Sequence, residues 1–420
     1  MRFTQAYAAA PICSASRAAI LTGKTPARQG FEFVVKGEVG YQPVNAPLRA
    51  PPYTLELRLD EVTIAEALSR AGYQTAFFGK WHLNRHHERY LGWSPTHGPK
   101  AQGFDLAEED FGSHPYRYWN QKSQRAFTEP ASSEIPRDSM TDRAIDYLEK
   151  PHTDPFFLMV SHFYVHTPVH TRVKRLYDHY FEKIPADHPA RESLAHYGAM
   201  VTTVDHHVGQ LLEAIDRENT LVVFTSDNGG HPDFAGNAPL RGSKWNLYEG
   251  GIRVPMIARW PGKIAAGKTE DRPVIGSDFY TTFQAIAGLK AAPTPDSHSI
   301  LPILLGESDT ATERTFLWHF PYYHPEKGYQ KAPESIGVND GYTSKTYPQS
   351  ALRSNEWKLI RFYDEDRAPE LYHLPTDPDE SENLALEKPE ILARLTRALN
   401  QRLDDADARL PEPNPDYSRP

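Results

Sequence analysis

The run Pro11-Ile12-Cys13-Ser14-Ala15-Ser16-Arg17-Ala18-Ala19-Ile20-Leu21-Thr22-Gly23 holds the only cysteine among 420 residues. A single cysteine forms no internal disulfide, so Cys13 is either a packed thiol or a residue kept for its reactivity. It directly precedes a stretch that predicts a helix, Ser14 to Leu21, stopped by Gly23. A nucleophile there faces the start of a helix, where amide groups and the helix dipole favour negative charge. Arg17, one turn later on the same face, has the reach to return to the Cys13 side chain.

Other residues able to do chemistry stand just beyond short apolar runs. Gln74-Thr75-Ala76-Phe77-Phe78 leads into Gly79-Lys80-Trp81-His82-Leu83, and in an extended chain Lys80 and His82 point the same way. Phe156 to Val160 leads into His162-Phe163-Tyr164-Val165-His166-Thr167-Pro168. Thr220 to Thr225 leads into Ser226-Asp227-Asn228-Gly229-Gly230-His231. Adjacent carboxylate and amide oxygens suit a hard cation, Ca²⁺ or Mg²⁺ rather than zinc, although Asp-Asn-Gly is also a common turn. Lys244 follows in Asn237-Ala238-Pro239-Leu240-Arg241-Gly242-Ser243-Lys244. The glycines in Glu249 to Pro255 read as backbone geometry ahead of a strand. With 19 histidines in the chain, most are bystanders; His162 and His170 read as packing or surface residues.

The elements that must position these groups read as an α/β fold. Four short apolar segments, at 74–78, 156–160, 220–225 and 254–258, predict strands of a parallel central sheet sandwiched by helices. Ligands of such sheets bind beyond the carboxyl ends of the strands. A helix is expected from Thr63 to Ala71, with a capping box of Thr63 and Glu66. Further helices are expected near Tyr197 to Arg217 and from Asp278 to Ala287. From about residue 311 the pattern changes. Ala351 to Phe362 and Glu370 to Leu374 predict antiparallel strands joined by the polar turn 364–367. Ile391, Leu392, Leu395, Leu399 and Leu403 then form an apolar helical stripe. The expected organisation is a catalytic domain over 1–310 and an antiparallel-sheet-plus-helix subdomain over 311–420, ending in a frayed tail from Pro411.

Taken together, Cys13-Ser14-Ala15-Ser16-Arg17 with Leu21-Thr22-Gly23, Gly79-Lys80-Trp81-His82-Leu83, His166-Thr167-Pro168, Ser226-Asp227-Asn228-Gly229 and Lys244 resemble the type I sulfatases. These are formylglycine-dependent, arylsulfatase-like enzymes of the alkaline-phosphatase-like superfamily. The likeness extends to Trp357-Lys358-Leu359-Ile360, Glu370-Leu371-Tyr372 and Asn383-Leu384. It implies that Cys13 is oxidised by a formylglycine-generating or maturase enzyme, and that the hydrated aldehyde attacks the sulfur of a sulfate ester. It further implies that His166 protonates the leaving group, Lys80 and Lys244 neutralise sulfate oxygens, and Arg17 and His82 hold the nucleophile. Asp227, Asn228 and the modified Cys13 are the implied ligands of Ca²⁺, with Mg²⁺ the less favoured ion. The implied substrate is a sulfated small molecule or glycan. Aromatic loops at 114–119 and 318–324 are candidates for sugar stacking.

One departure bears on the metal. The family opens with a central strand ending in two adjacent aspartates, whereas no Asp or Glu precedes Glu32 here. The expectation is therefore a sheet lacking that strand, a gap beside the strand ending at Thr225, and a metal site short of carboxylates, with activity reduced. Two alternatives stay open: a phosphodiesterase or phosphonate-ester hydrolase of the same superfamily, and a catalytically silent, metal-free fragment. The net charge of −9 disfavours nucleic acid and anionic membranes as partners. No apolar run approaches the ~18–20 residues of a membrane helix, and no signal-peptide core precedes Cys13. Location is thus unreadable from the residues; the family implies a periplasmic, secreted or lysosomal enzyme. Nothing in the sequence specifies an oligomeric state.

Overall fold

The computed structural model describes residues 1–128, 135–215, 219–235, 237–290, 294–307, 314–324, 346–364 and 367–418. The strand Gln74–Gly79 lies between Leu106–Glu108 and Phe156–Ser161 and runs parallel to both. Ala76, Phe77 and Phe78 are buried, as a strand covered on both faces requires. The helix before it, Ile64–Arg70, starts on the expected capping box, with Thr63 and Glu66 exchanging side-chain-to-backbone hydrogen bonds.

A second sheet orders Val222–Thr225, Met256–Arg259, Arg2–Phe3 and Thr269–Glu270. Here one expectation is corrected: the segment at 254–258 forms a strand antiparallel to Val222–Thr225, not parallel to it. A short apolar run marks burial but carries no direction. Among the described residues, Phe156–Ser161 and Val222–Thr225 are both edge strands, each paired on one side only.

The C-terminal sheet is antiparallel, in the order Thr315–Phe320, Gln349–Ser354, Trp357–Phe362 and Glu370–His373. What reads as one strand from Ala351 to Phe362 is two, broken by a turn in which Asn355 takes a left-handed φ of 55°. The helix Pro389–Asp405 buries Leu395, Leu399 and Leu403 against this sheet. The long helix spans Arg191–Ala214 and so begins ahead of Tyr197. Arg217, Glu365, Asp366 and the 310/311 boundary lie outside the described residues.

Two further expectations give way. The aromatic run from Trp318 is core, not a sugar-facing loop: Trp318, Phe320 and Tyr322 are fully buried, and Trp318 Nε1 donates to the Ala8 carbonyl at 2.8 Å. The tail is not frayed, because Glu412–Pro413 pairs with Leu48–Arg49 and the Asn414 amide donates to the Pro47 carbonyl at 2.8 Å. Backbone pairing gives these residues partners that their polar composition conceals.

A buried ion cluster joins the C-terminal sheet to the short helix Glu249–Ile252. Lys358 Nζ lies 2.9 Å from Glu249 and 2.8 Å from Glu380, all three side chains being fully buried. Glu249 also accepts the Tyr7 hydroxyl at 2.7 Å, and its amide donates to Glu380 at 2.6 Å. Burial pushes the Glu380 carboxyl from 4.5 up to about 7; Lys358 opposes this and Glu249 adds to it. The folded chain thus binds that proton more tightly than the unfolded chain does. The resulting stability is full below about 4.5 and is lost as pH rises through about 7. Glu249, which Lys358 holds below its ordinary value against the cost of burial, contributes in the opposite sense only at more acid pH. Glu380→Gln is therefore expected to flatten the fall in melting temperature between those two values. Thermal melts across the window check this, and an unchanged slope refutes it.

Candidate active site

The helix Cys13–Thr22 opens on Cys13 itself, after an extended Ile12, and closes at Gly23, whose φ is 69° and whose amide donates to the Ala19 carbonyl at 2.8 Å. Cys13 is 2% exposed. Burial alone works against a thiolate. The Lys244 and Lys80 charges, then side-chain hydrogen bonding with His166 and His82, nevertheless hold the thiol well below its ordinary value. An electropositive surrounding of this kind activates a cysteine.

Lys80 and His82 follow the strand Gln74–Gly79. Gly79 has a φ of 102°, and a Cβ there would lie 2.1 Å from the Ser161 carbonyl oxygen, so only glycine lets the two strand ends approach. The Lys80 amide donates to that same carbonyl at 2.8 Å. The chain does not stay extended beyond it, as His82 sits at φ 60° with its carbonyl accepting from the Ser14 hydroxyl at 2.8 Å. Both side chains still act on Cys13. Burial, more than Lys80, lowers His82 to about 3, so its ring is neutral.

Arg17 is placed differently from expectation. Its hydrogen bonds go past Cys13, to the Trp81 carbonyl at 2.9 Å, the Ser161 hydroxyl at 2.7 Å and the Lys80 carbonyl, with Asp227 at 3.5 Å. A guanidinium is a wide fork, and four acceptors on three strand ends outcompete one sulfur. Arg17 and Cys13 still interact through their charges.

His166 follows the strand Phe156–Ser161. Its Nδ1 lies 2.8 Å from the Thr167 carbonyl and 3.0 Å from the Tyr116 hydroxyl, and its Nε2 lies 3.3 Å from Lys244 Nζ. Burial, then Lys244 and Lys80, lowers its pKa. His162 and His170 lie apart from this group, stacked on His207 and His196. Lys244 reaches the site from a loop clamped on both sides. The Lys244 amide donates to the Gly230 carbonyl and the Trp245 amide to the Pro11 carbonyl, each at 2.9 Å.

Asp227 and Asn228 turn the chain beyond Val222–Thr225. Gly229 is required there, since a Cβ would lie 2.0 Å from the Gly250 carbonyl oxygen. Asn228 Nδ2 donates to the Gly229 carbonyl at 2.8 Å, while its Oδ1 is buried without a partner. An orphaned amide oxygen beside the Asp227 carboxylate is a donor pair suited to a hard cation. Among the described residues, no cluster of three or more His, Cys, Asp or Glu could hold a metal. The pair supplies one formal negative charge.

Four site residues escape sequence reading: Ser161, His114, Tyr116 and His231. Ser161 ends a strand with no motif around it. His114 and Tyr116 lie within the aromatic loop at 114–119, but their contacts with His166 span 52 and 50 residues of chain. His231, lowered to about 3 by burial, Lys244 and His166, directly follows Asn228-Gly229-Gly230 and is legible there as part of the same turn.

The whole arrangement is a cationic, water-poor cup around one nucleophile, suited to stabilising charge on a tetrahedral oxyanion. In comparisons with known proteins, residues 1–289 match the family described as Sulfatase, and residues 243–409 match the one described as N-sulphoglucosamine sulphohydrolase, C-terminal. A sulfatase of Formosa agariphila is 29% identical over 440 residues, covering 90% of this chain and 75% of that protein. Arylsulfatase G of Mus musculus is 28% identical, covering 96% of this chain and 80% of that protein. The solved structure of Ps i-CgsB in complex with k-i-k-neocarrahexaose shares the fold at a TM-score of 0.68 and 26% identity, over 96% of this chain and 84% of that one. Among the described residues, no helix is long and apolar enough to cross a membrane.

Proposed function

This chain belongs to the sulfatase family and is a sulfuric ester hydrolase, and from that premise we propose that it removes sulfate from a carbohydrate at the site centred on Cys13. One observation carries the assignment of the site: Lys80 and His82, His166, and Lys244, from three separate segments, all act on Cys13 and overcome the cost of its burial. The neocarrahexaose in the Ps i-CgsB complex supports the choice of a sugar.

Lys80 and Lys244 neutralise the sulfate oxygens, most strongly as charge shifts onto the leaving oxygen. Burial, and after it the same two lysines, disfavour the charged form of His166 in the free site. An anionic sulfate set between them cancels that field, so Nε2 takes up a proton as substrate binds and donates it to the departing alcohol. Neutral His82 accepts a proton from the nucleophile, and Arg17 holds the surrounding carbonyls in place. Oxidised to formylglycine by a maturation enzyme, Cys13 would supply an oxygen nucleophile toward sulfur, and a Ca²⁺ ion held by Asp227 and Asn228 would polarise the sulfate.

Side-by-side turnover of an aryl sulfate, a sulfated oligosaccharide and an aryl phosphodiester tests this reading. The two sulfates are expected to be the better substrates, and preference for the phosphodiester overturns it. Calorimetric titration is expected to show saturable Ca²⁺ binding no tighter than about 10⁻³ M, given a single carboxylate, and none in Asp227→Asn. Affinity unaffected by Asp227→Asn would remove these residues from the metal site.

A further inference from the structure

We propose that Tyr116 and His114 are positioning residues for His166, fixing its ring in the tautomer that carries hydrogen on Nδ1 and turning Nε2 toward Lys244 and Cys13. The Thr167 carbonyl, which only accepts, lies 2.8 Å from Nδ1, so that nitrogen carries the hydrogen. The Tyr116 hydroxyl, 3.0 Å from the same nitrogen, accepts it as well and is left to donate its own hydrogen to Tyr90. The Tyr90 ring meets that of Tyr116 edge-on at 5.6 Å. On the other side of the imidazole, Lys244 Nζ only donates, so Nε2 at 3.3 Å is an acceptor in the resting site.

His114 holds the two loops together. It is fully buried, and its Nε2 donates to the His166 backbone carbonyl at 2.9 Å while its Nδ1 accepts the Tyr116 backbone amide at 3.2 Å. Both ring nitrogens are used, in one fixed tautomer. Burial lowers His114 to about 3, so the ring stays neutral and the clamp persists across ordinary pH. One imidazole thus ties the backbone of the acid to the backbone of the tyrosine that orients it. Resting on the reading of His166 as the acid, the consequence is that a proton on Nε2 points at the leaving oxygen while Nδ1 remains tethered. The partner on one ring nitrogen determines what the other can do.

Two readouts on the full chain test this. In ¹⁵N-histidine-labelled protein, with His166 assigned by the signals lost in His166→Gln or His166→Asn, long-range ¹H–¹⁵N correlation is expected to show a protonated Nδ1 and a bare Nε2. Tyr116→Phe is expected to move both resonances toward the average of the two tautomers. A wild-type ring protonated on Nε2, or resonances unmoved by Tyr116→Phe, overturns the proposal. In kinetics, Tyr116→Phe is expected to lose about tenfold more kcat on a sugar sulfate than on 4-nitrophenyl sulfate, whose leaving group needs little protonation, with the KM ratio unchanged. Equal losses on both substrates overturn it. Absence of turnover in the wild type would refute the sulfatase reading instead, and the tautomer then decides the positioning role by itself.

Discussion

Cys13→Ala is expected to abolish sulfate ester hydrolysis, with kcat falling by about 10⁶-fold, the scale seen when a nucleophile acting with its partners is removed. The same change deletes a single buried sulfur from the first turn of the helix Cys13–Thr22. Its structural cost is about 1 kcal/mol, so the melting temperature of a chain this long falls by only about 1 °C. Large loss of rate with small loss of stability is the signature that separates a nucleophile from a packed thiol. A variant that keeps even about 1% of wild-type turnover would remove Cys13 from the mechanism. Maturation gives a second check. At 2% exposure the thiol is closed to any modifying enzyme once the chain has folded. Conversion to formylglycine would therefore have to precede folding. Co-expression with a formylglycine-generating enzyme is expected to make the Cys13 peptide lighter by close to the mass of one water. Treatment of the folded, purified thiol form is expected to leave it unchanged.

What could be read ahead of the structure divides by the range of the interaction. The helix behind Cys13, the capping box at Thr63 and Glu66, and the stripe of Leu395, Leu399 and Leu403 follow from contacts within a turn or two, and such contacts are written in local spacing. Strand direction is another matter. Met256–Arg259 runs antiparallel to its neighbour because of how the intervening loop folds, and its three apolar residues carry no trace of that. The same holds for partners. Lys80, His82, His166 and Lys244 could be named individually from the motifs around them. That Arg17 spends its hydrogen bonds on Trp81, Lys80 and Ser161, and that Tyr116 meets His166, depends on which strand ends are brought together. Nothing in the local spacing of Lys358, Glu249 and Glu380 joins the three. Only the packing of the C-terminal sheet on the helix Glu249–Ile252 makes them a closed cluster.

Arg17→Met is expected to be the most damaging single change to folding, destabilising the protein by about 3–5 kcal/mol, the range for breaking a buried charge network by removing one member. Arg17 is 5% exposed and stands where three strand ends converge. Its guanidinium satisfies the Trp81 and Lys80 carbonyls and the Ser161 hydroxyl and neutralises Asp227. Methionine has a similar reach and fills the volume, so the loss is chiefly of hydrogen bonds and charge. Each buried acceptor left bare costs about 1–3 kcal/mol, less whatever the site regains by relaxing. The position compounds the effect. Phe156–Ser161 and Val222–Thr225 share no ladder among the described residues, and Arg17 ties the end of the first to the turn after the second. With the tie gone, Asp227 becomes an unpaired carboxylate, and the Asn228 oxygen moves with it, so Ca²⁺ binding and turnover should fall together with stability. Arg17→Lys separates the two contributions. It restores the charge opposite Asp227, yet an ammonium cannot span acceptors on three segments at once, so about half the loss should persist. Urea midpoints of the three proteins decide the matter. If Arg17→Lys matches the wild type, the charge alone holds the ends together; if Arg17→Met lies within about 1 kcal/mol of it, the two sheets are joined by something other than this side chain.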